Sequence, residues 1–313
     1  MTRASGLPCV VGIDGGATRT RYRLADEKGR IVGRSEGAAT LLGAGDDLAA
    51  ADRIIEEVRS LVSKTGTDAP LGVLVAGLAG AAARPDSVQI VRDRLLGGEL
   101  AGVVHIVSDI EIAFHDAFGT AEGVLLIAGT GSAALGRARS GRPVRVGGWG
   151  ALIGDEGSGY WIGLEGLRAA VRSVEDRGEP TSLHERLFGA LGVSSVEELY
   201  LWSCAAGKGS IAALAPEVVE EADRRDSVAG RIVGEAVRSL RRHAEVLGRR
   251  TGLVGAAAHR IPPVALVGGL IQPGGILRDR LVQALEEVGF EVSAEPVEPV
   301  RGAVDQALDL LEV

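Results

Sequence analysis

The sequence has few cysteines and no long apolar run, and each shortage excludes a class of protein. Its two cysteines, Cys9 and Cys204, show no CxxC spacing, which argues against a disulfide framework or a zinc site and favours a reducing cytoplasm. Both are expected to be small buried residues. No apolar stretch approaches the ~20 residues of a membrane span, and the N-terminal MTRASGLP lacks the apolar run of a signal peptide. We therefore expect a cytoplasmic protein with no membrane partner.

Basic residues are also fewer than acidic ones, at 34 against 42. The net charge of −8 comes from segments of mixed sign such as EEADRR, so it favours solubility and makes nucleic acid an unexpected partner. Apolar residues make up 46% of the chain and charged residues 24%, which is typical of soluble globular proteins. At 313 residues the chain is long enough for two domains of ordinary size or one large domain.

Apolar runs that end at a glycine or an acid alternate with helical patterns. The run CVVGID (9–14), followed by TRTRYRLAD and RIVGRSE, predicts a buried strand and a hairpin. Helical spacing predicts a helix over 46–64, with Asp46 or Asp47 as N-cap and Gly66 as its end. Another helix is predicted at about 85–96, and further strands at 71–77, 103–109 and 124–129. This alternation indicates a largely parallel or mixed α/β sheet.

The opening pattern occurs a second time. The segment LLIAGTGSAALGRARSGRPVRVGG resembles VVGIDGGATRTRYRLADEKGRIVGR, about 115 residues earlier, which indicates two related halves with a boundary near 117–122. A long helical stretch is predicted over 216–250, followed by the strand and loop PVALVGGL (263–270) and a closing helix over 302–311. The apolar stripe of the long stretch predicts packing either in the core or against a second subunit, so a homodimer is one of the two alternatives. The five histidines show no metal-ligand spacing and are interpreted as structural or surface residues.

Three strands end in glycine-containing loops: DGGAT (14–18), GTGS (129–132) and GGL (268–270). Backbone N–H groups exposed at such turns can bind phosphate oxygens without basic side chains. Neither a Walker A motif nor the GxGxxG dinucleotide fingerprint is present. The alternative for each loop is a tight hairpin turn, but the three together, with Asp14, favour a nucleotide site.

The segment VGGWGALIGDEGSGYWIG (146–163) has seven glycines in eighteen residues, which weakens any simple helix or strand. With the three loops, it resembles the sugar kinase, actin and Hsp70 ATPase superfamily, and specifically the branch of N-acetylglucosamine kinase and the BadF/BadG/BcrA/BcrD ATPases. The resemblance covers nearly the whole chain in order. It implies an α/β fold of two related actin-like ATPase (ribonuclease H-like) domains with a central cleft. The expected domains are 1–118, joined by a C-terminal helix at about 300–313, and 119–299.

The resemblance further implies ATP and Mg2+ as cofactors and an amino sugar as the small-molecule substrate. Asp109 ends the strand VVHIVSD, where α/β sheets place their ligands, and matches the family's catalytic aspartate; its alternative role is a helix N-cap. Asp14 would hold Mg2+, directly or through water. The residues expected to bind the nucleotide are Asp14, Gly15, Gly16, Thr18, Gly129, Thr130, Gly131, Ser132, Gly268 and Gly269. Those expected to bind sugar are Asp109, Gly148, Trp149 as an apolar wall, Asp155 as an acceptor for sugar hydroxyls, and Glu156.

Two departures from the family pattern bear on the substrate. Ala17 stands where a third glycine is usual, and the region 37–45 has Thr40 or Leu41 where many relatives place a sugar-binding asparagine. N-acetylglucosamine, phosphorylated at its 6-hydroxyl, is the first expectation, with glucosamine or another hexosamine as alternatives. An ATPase that activates an iron–sulfur reductase or dehydratase, and a sugar-sensing regulator, are the rival functions.

Overall fold

The computed structural model describes residues 9–16, 19–43, 45–66, 71–138, 141–254 and 261–312. Contacts group the chain into two compact units, which we call unit 1 (1–120 with 297–313) and unit 2 (121–296). The domain limits expected from the sequence stay a prediction, because a compact group of contacts need not fold as an independent domain.

Unit 1 is built on a five-stranded sheet in the order β3-β2-β1-β4-β5. Strand β2 runs antiparallel to both of its neighbours, β1 and β3, whereas β4 and β5 run parallel to β1. The strands are β1 (Cys9–Gly15), β2 (Arg19–Ala25), β3 (Ile31–Ala38), β4 (Leu71–Leu78) and β5 (Ala101–Ser108). The helices are α1 (Asp47–Thr65), α2 (Pro85–Gly97), α3 (Asp109–Phe118) and α11 (Pro299–Leu311).

Successive residues of β1 point to opposite faces of this sheet, and each face has its own core. Val11 lies in the cluster that contains Ile54 of α1 and Leu95 of α2, whereas Val10 lies with Ile112 of α3 and Val304 of α11. Helix α1 begins where the sequence predicts: the Asp46 side chain accepts from the N–H groups of residues 48 and 49, and Gly66 ends the helix in the left-handed conformation.

Unit 2 repeats the same sheet order with more helices inserted. Its sheet runs β8-β7-β6-β9-β10, with β7 and β8 antiparallel and β9 and β10 parallel to their neighbours. The strands are β6 (Gly123–Ala128), β7 (Ser132–Arg137), β8 (Val144–Gly147), β9 (Pro263–Val267) and β10 (Glu291–Val292). The helices are α4 (Gly159–Val174), α5 (Leu183–Leu191), α6 (Val196–Ala205), α7 (Lys208–Ala212), α8 (Ala215–Asp223), α9 (Ser227–Thr251) and α10 (Arg278–Glu286). The two sheets confirm the predicted internal repeat.

The stretch predicted as helical over 216–250 is helical, but it is divided into two helices. Helix α8 ends at Asp223, Arg225 has a positive φ of 71°, and Asp226 caps the start of α9 through its side chain. A carboxylate that accepts two backbone N–H groups can start a new helix. The apolar stripe of α9 is buried in the core of unit 2, as the core-packing alternative requires.

The structure differs from the sequence expectations at one cysteine and at the start of the closing helix. Cys9 is buried as predicted, but Cys204 is exposed on α6, so the expectation that both cysteines are buried is wrong. The closing helix begins at Pro299 rather than at 302, because proline is well suited to the first helical turn. Within the described residues, none of the helices has both the length and the apolar composition needed to span a bilayer.

Candidate active site

Asp14 lies at the carboxyl end of β1, opposite Arg21 of β2 in the antiparallel register. Its side chain is 14% exposed, and its Oδ2 is 3.3 Å from Arg21 Nη1. Burial raises the pKa of the Asp14 carboxyl above its ordinary value, and the Arg21 guanidinium opposes that rise. A carboxylate in this setting is stabilised by a cation, so the environment of Asp14 fits a Mg2+ ligand that shares the ion with phosphate and water.

Asp109 is the first residue of α3 and directly follows β5. The residue that caps the helix is Ser108: its hydroxyl accepts from the Glu111 N–H, and the Glu111 carboxylate accepts from the Ser108 N–H at 2.9 Å. The alternative role of Asp109 as N-cap is therefore wrong. The strand register aligns Gly15, Leu78 and Ser108, so Asp14 and Asp109 lie at the same sheet edge, separated by β4. Two strand spacings correspond to about 10 Å.

Backbone hydrogen bonds hold Gly15 and Gly16 at the end of β1, and two buried threonines lie beside them. Thr20 and Thr40 are fully buried, and the Thr20 hydroxyl lies 2.9 Å from that of Thr40. The Thr40 N–H donates to the Gly16 carbonyl, and the Ala79 N–H donates to that of Gly15. Thr40 thus supports the glycine loop, while the neighbouring Leu41 is 41% exposed. Ala17 and Thr18 lie outside the described residues, so the role of Thr18 stays a prediction.

In unit 2 the loops GTGS and GGL meet at one cavity of about 370 Å3. Half of its lining residues are glycines, which allow close approach of a ligand to the backbone. The lining residues are Gly129, Thr130, Gly159, Gly209, Ala212, Ala213, Gly269 and Leu270. The Leu270 N–H donates to the Ala128 carbonyl, and the Gly159 N–H donates to that of Gly129. Backbone bonds therefore fix both loops and the start of α4 around a cavity of the size that small ligands occupy.

Asp155 and Lys208 lie against the GTGS loop. Asp155 is 3% exposed and has a positive φ of 60°. Its Oδ1 accepts from the Ser132 N–H at 3.2 Å, and its Oδ2 is 2.5 Å from Lys208 Nζ. The Ser132 hydroxyl donates to the Glu156 carbonyl at 2.7 Å. The structure thus brings the acidic pair of the glycine-rich segment to the GTGS loop, together with a lysine that sequence reasoning missed.

Trp149 lies in the turn that follows β8 and is 63% exposed. Gly147, Gly148 and Gly150 around it all have positive φ, which explains the need for glycine in this turn. Arg145 holds the turn by donating to the carbonyls of Gly147 and Gly148, and its guanidinium carbon lies 5.2 Å from the Trp149 ring centroid. The indole therefore presents an exposed apolar surface on a turn that is fixed by hydrogen bonds.

His243 of α9 supports the same turn from beneath. A Cβ placed on Gly147 would lie 2.9 Å from the His243 ring, so the turn packs closely on the imidazole. Burial lowers the pKa of His243 below its ordinary value. Its Nδ1 is buried and has no hydrogen-bond partner among the described residues. His243 is thus a structural residue, in agreement with the interpretation of the histidines from the sequence, whereas the role of Arg145 was not predicted because its position carries no motif.

No group of three or more His, Cys, Asp or Glu side chains gathers as a metal site in the described part of the chain. Asp14 is a single carboxylate, which suits Mg2+ because this ion is usually held by one or two carboxylates together with substrate phosphates and water. The predicted site residues thus form two groups. Unit 1 holds Asp14, Gly15, Gly16 and Asp109, and unit 2 holds the GTGS and GGL loops, Trp149, Asp155 and Glu156.

Comparison with known proteins places this geometry in a family. The chain is 33% identical over 236 residues to the N-acetylmuramic acid/N-acetylglucosamine kinase of Clostridium acetobutylicum, covering 74% of this chain and 76% of that protein. It is 30% identical over 315 residues to the N-acetyl-D-glucosamine kinase of Dictyostelium discoideum, covering 96% and 97%. The fold matches a candidate N-acetylglucosamine kinase structure from Chromobacterium violaceum with a TM-score of 0.78 at 24% identity, covering 97% and 99%.

The model of the BadF/BadG/BcrA/BcrD ATPase family matches residues 11–308, which include all three glycine loops and the glycine-rich segment. The fold class predicted from the sequence is confirmed by the two related sheets and by the structural match. The chain belongs to the BadF/BadG/BcrA/BcrD ATPase family.

Proposed function

We propose that this protein is an ATP-dependent kinase that transfers the γ-phosphoryl group to a hydroxyl of an amino sugar, with N-acetylglucosamine as the first acceptor. The observation that carries this proposal is the full-length similarity to a kinase named for N-acetyl-D-glucosamine. The Clostridium acetobutylicum relative, whose name includes the same sugar, supports it. Because the phosphoryl donor is ATP, we propose the cytoplasm as its location.

The nucleotide would bind in the cavity of unit 2, with backbone N–H groups of the GTGS loop near its phosphates. Asp14 would hold Mg2+, which supplies charge neutralisation to the phosphates when it is bound. The position of Asp14 at the carboxyl end of β1 and the burial of its side chain support this role, because a buried carboxylate is stabilised by a cation.

Asp109 would accept the proton of the attacking sugar hydroxyl as its oxygen forms a bond to the γ-phosphorus and the bond to the ADP oxygen breaks. The capping role of Ser108 supports this assignment, since the helix does not need Asp109 as its cap. Trp149 would contact the apolar face of the sugar, and the 6-hydroxyl is the proposed phosphorylation site. The predicted homodimer stays a prediction, which light scattering of the purified protein can check.

The test is a coupled assay of ADP release with N-acetylglucosamine, N-acetylmuramic acid, glucosamine, glucose and no acceptor. We expect turnover to depend on an acceptor and to be fastest with N-acetylglucosamine. A preference for glucosamine would overturn the substrate assignment and leave the kinase chemistry. Equal turnover without any acceptor would overturn the kinase and favour an ATPase that acts on another protein.

A further inference from the structure

Lys208 lies at the start of α7, one residue before Gly209 of the unit 2 cavity. Its side chain is 38% exposed, whereas that of its partner Asp155 is 4% exposed. A Cβ built on Gly131 would lie 3.0 Å from Lys208 Nζ. The ammonium group therefore rests directly on the middle of the GTGS loop, at a point where a side chain on the loop would displace it.

The Asp155 carboxylate joins this ammonium to the loop. One of its oxygens accepts from the Ser132 N–H, and the other binds Lys208 Nζ. A backbone N–H and an ammonium group are the donors that phosphate oxygens use in glycine-rich loops. The carboxylate thus occupies a position between two donors of the kind that bind phosphate, and it keeps the ammonium beside the loop.

The cavity itself supplies no charge, because none of its lining residues is ionisable. Nucleoside di- and triphosphates carry several negative charges that need neutralisation. A lysine ammonium has three donors, and its one hydrogen-bond partner among the described residues is Asp155. The exposure of the Lys208 side chain leaves room for a second anionic partner.

The residue type is itself unusual for this chain. Of 34 basic residues, three are lysines, at positions 28, 64 and 208, and the others are arginines. A guanidinium is a broad planar fork, whereas an ammonium is a compact point charge. The 3.0 Å approach to the Gly131 position leaves space for the smaller group. The close packing suits a lysine at this position in a chain whose basic residues are mostly arginines.

We propose that Lys208 binds the phosphate chain of the nucleotide and that Asp155 is the residue that positions it. This inference rests on the proposed function in one respect, namely that ATP binds at the unit 2 cavity. It assigns the ligand class as nucleoside di- and triphosphates. Lys208 would bind the phosphates together with the GTGS loop, and the rest of the cavity would bind the nucleoside.

The first experiment measures binding of ATP, ADP and adenosine by calorimetry to the parent, Lys208→Met and Lys208→Arg. A lost charge-assisted hydrogen bond corresponds to about a 10- to 100-fold weaker affinity, which we expect for ATP and ADP with Lys208→Met. Adenosine affinity should stay within about twofold, and Lys208→Arg should lie between parent and Lys208→Met. Arg168→Met is the matched control, since it removes an exposed unit 2 cation that pairs with Glu165. Unchanged ATP affinity in Lys208→Met, or an equal loss for adenosine, would overturn the proposal.

The second experiment needs no variant. The parent is acetylated with an amine-reactive ester, and modification of each lysine is followed by mass spectrometry with and without ATP. We expect ATP to slow modification of Lys208 several-fold and to leave the exposed Lys28 and Lys64 of unit 1 unchanged. Adenosine should protect none of the three. Unprotected Lys208 at saturating ATP would overturn the proposal, even if the parent phosphorylates sugar.

The positioning role of Asp155 is tested with Asp155→Asn, because asparagine adopts a positive φ readily and should keep the turn. We expect faster acetylation of Lys208 without nucleotide, and weaker ATP binding with adenosine binding retained. An unchanged Lys208 acetylation rate would contradict the role. If ATP protects Lys208 but the sugar assay shows no acceptor dependence, the proposed function fails and this inference stands.

Discussion

The two units contain the same hairpin, but they place acidic groups beside it in different ways. In unit 1 the carboxylate of Asp14 belongs to the strand itself and lies opposite Arg21 on the neighbouring strand. In unit 2 the equivalent strand ends at Ala128, and the acid beside the loop is Asp155, which lies 23 residues beyond its partner Ser132. The basic partner, Lys208, is a further 53 residues along the chain.

The length of the turn also differs. Four residues separate the paired Gly15 and Thr20, whereas three separate Ala128 and Ser132. The shorter loop is closed by a hydrogen bond from the Gly129 N–H to the Gly131 carbonyl, and its charges come from other elements. One sheet order therefore supports both a loop with its own acid and a loop whose charged groups are supplied by tertiary contacts.

The largest effect, on kcat, should come from Asp109, which follows β5 in unit 1. Asp109→Asn removes the proposed proton acceptor, and kcat at saturating sugar and ATP should fall by about 10²- to 10⁴-fold. The melting temperature should change little because Ser108 caps the helix. The control is Glu111→Ala, which breaks the capping box and should cost about 1 kcal/mol of stability with kcat nearly retained. A folded Asp109→Asn enzyme with kcat within a few-fold of the parent would remove Asp109 from the mechanism.

The next largest effect should come from Asp14 of β1, and it should appear in the Mg2+ requirement. Asp14→Asn should raise the Mg2+ concentration that gives half-maximal activity by about 10- to 100-fold, the range typical of altered metal environments. A magnesium titration at fixed ATP measures this shift. Asp26→Asn, which changes a carboxylate bonded to Arg30 at the β2–β3 turn, is the matched control and should leave the titration unchanged. An unshifted midpoint in Asp14→Asn would contradict the metal assignment.

The exposed indole of unit 2 should have a smaller effect. Trp149→Ala should weaken sugar binding by about 1–3 kcal/mol, the scale of one buried apolar contact, while the KM for ATP stays nearly constant. The melting temperature should hardly move because the side chain is exposed. Leu152→Ala is the control, since Leu152 is 94% exposed in the same segment. Equal losses of sugar binding in both variants would show that the apolar contact with the sugar does not depend on Trp149 in particular.

The last comparison sets two glycines of the unit 2 loop against each other, and the smallest effect is expected for Gly129. A Cβ on Gly131 would lie 2.9 Å from Asp155 Oδ1, whereas a Cβ on Gly129 would meet its nearest neighbour at 3.9 Å. Gly131→Ala should therefore lower the free energy of unfolding by about 1–3 kcal/mol, and Gly129→Ala should stay within about 0.5 kcal/mol. Denaturant titrations of both variants make the comparison. Equal stabilities would mean that Asp155 and Lys208 do not pack tightly on the loop.

Much of the fold could be predicted from local patterns. The hairpin of β1 to β3, the helix that Asp46 caps, and the repeated strand order all follow from periodicity and turn residues, which act over a few residues. The break between α8 and α9 was missed because its signal is the conformation of Arg225 and the cap at Asp226, and neither interrupts the helical spacing of the apolar residues.

The sequence by itself determined the glycine loops, the acids at the strand ends and the resemblance to a kinase family, because each is encoded in a short contiguous motif. The tertiary structure alone decided which charged groups meet at the unit 2 loop. Lys208 stands in a short, weakly patterned helix, and its role follows from a 2.5 Å contact across 53 residues. Such a contact depends on how helices pack between β8 and β9. Local periodicity does not encode this packing, so no sequence motif predicts the contact between Lys208 and Asp155.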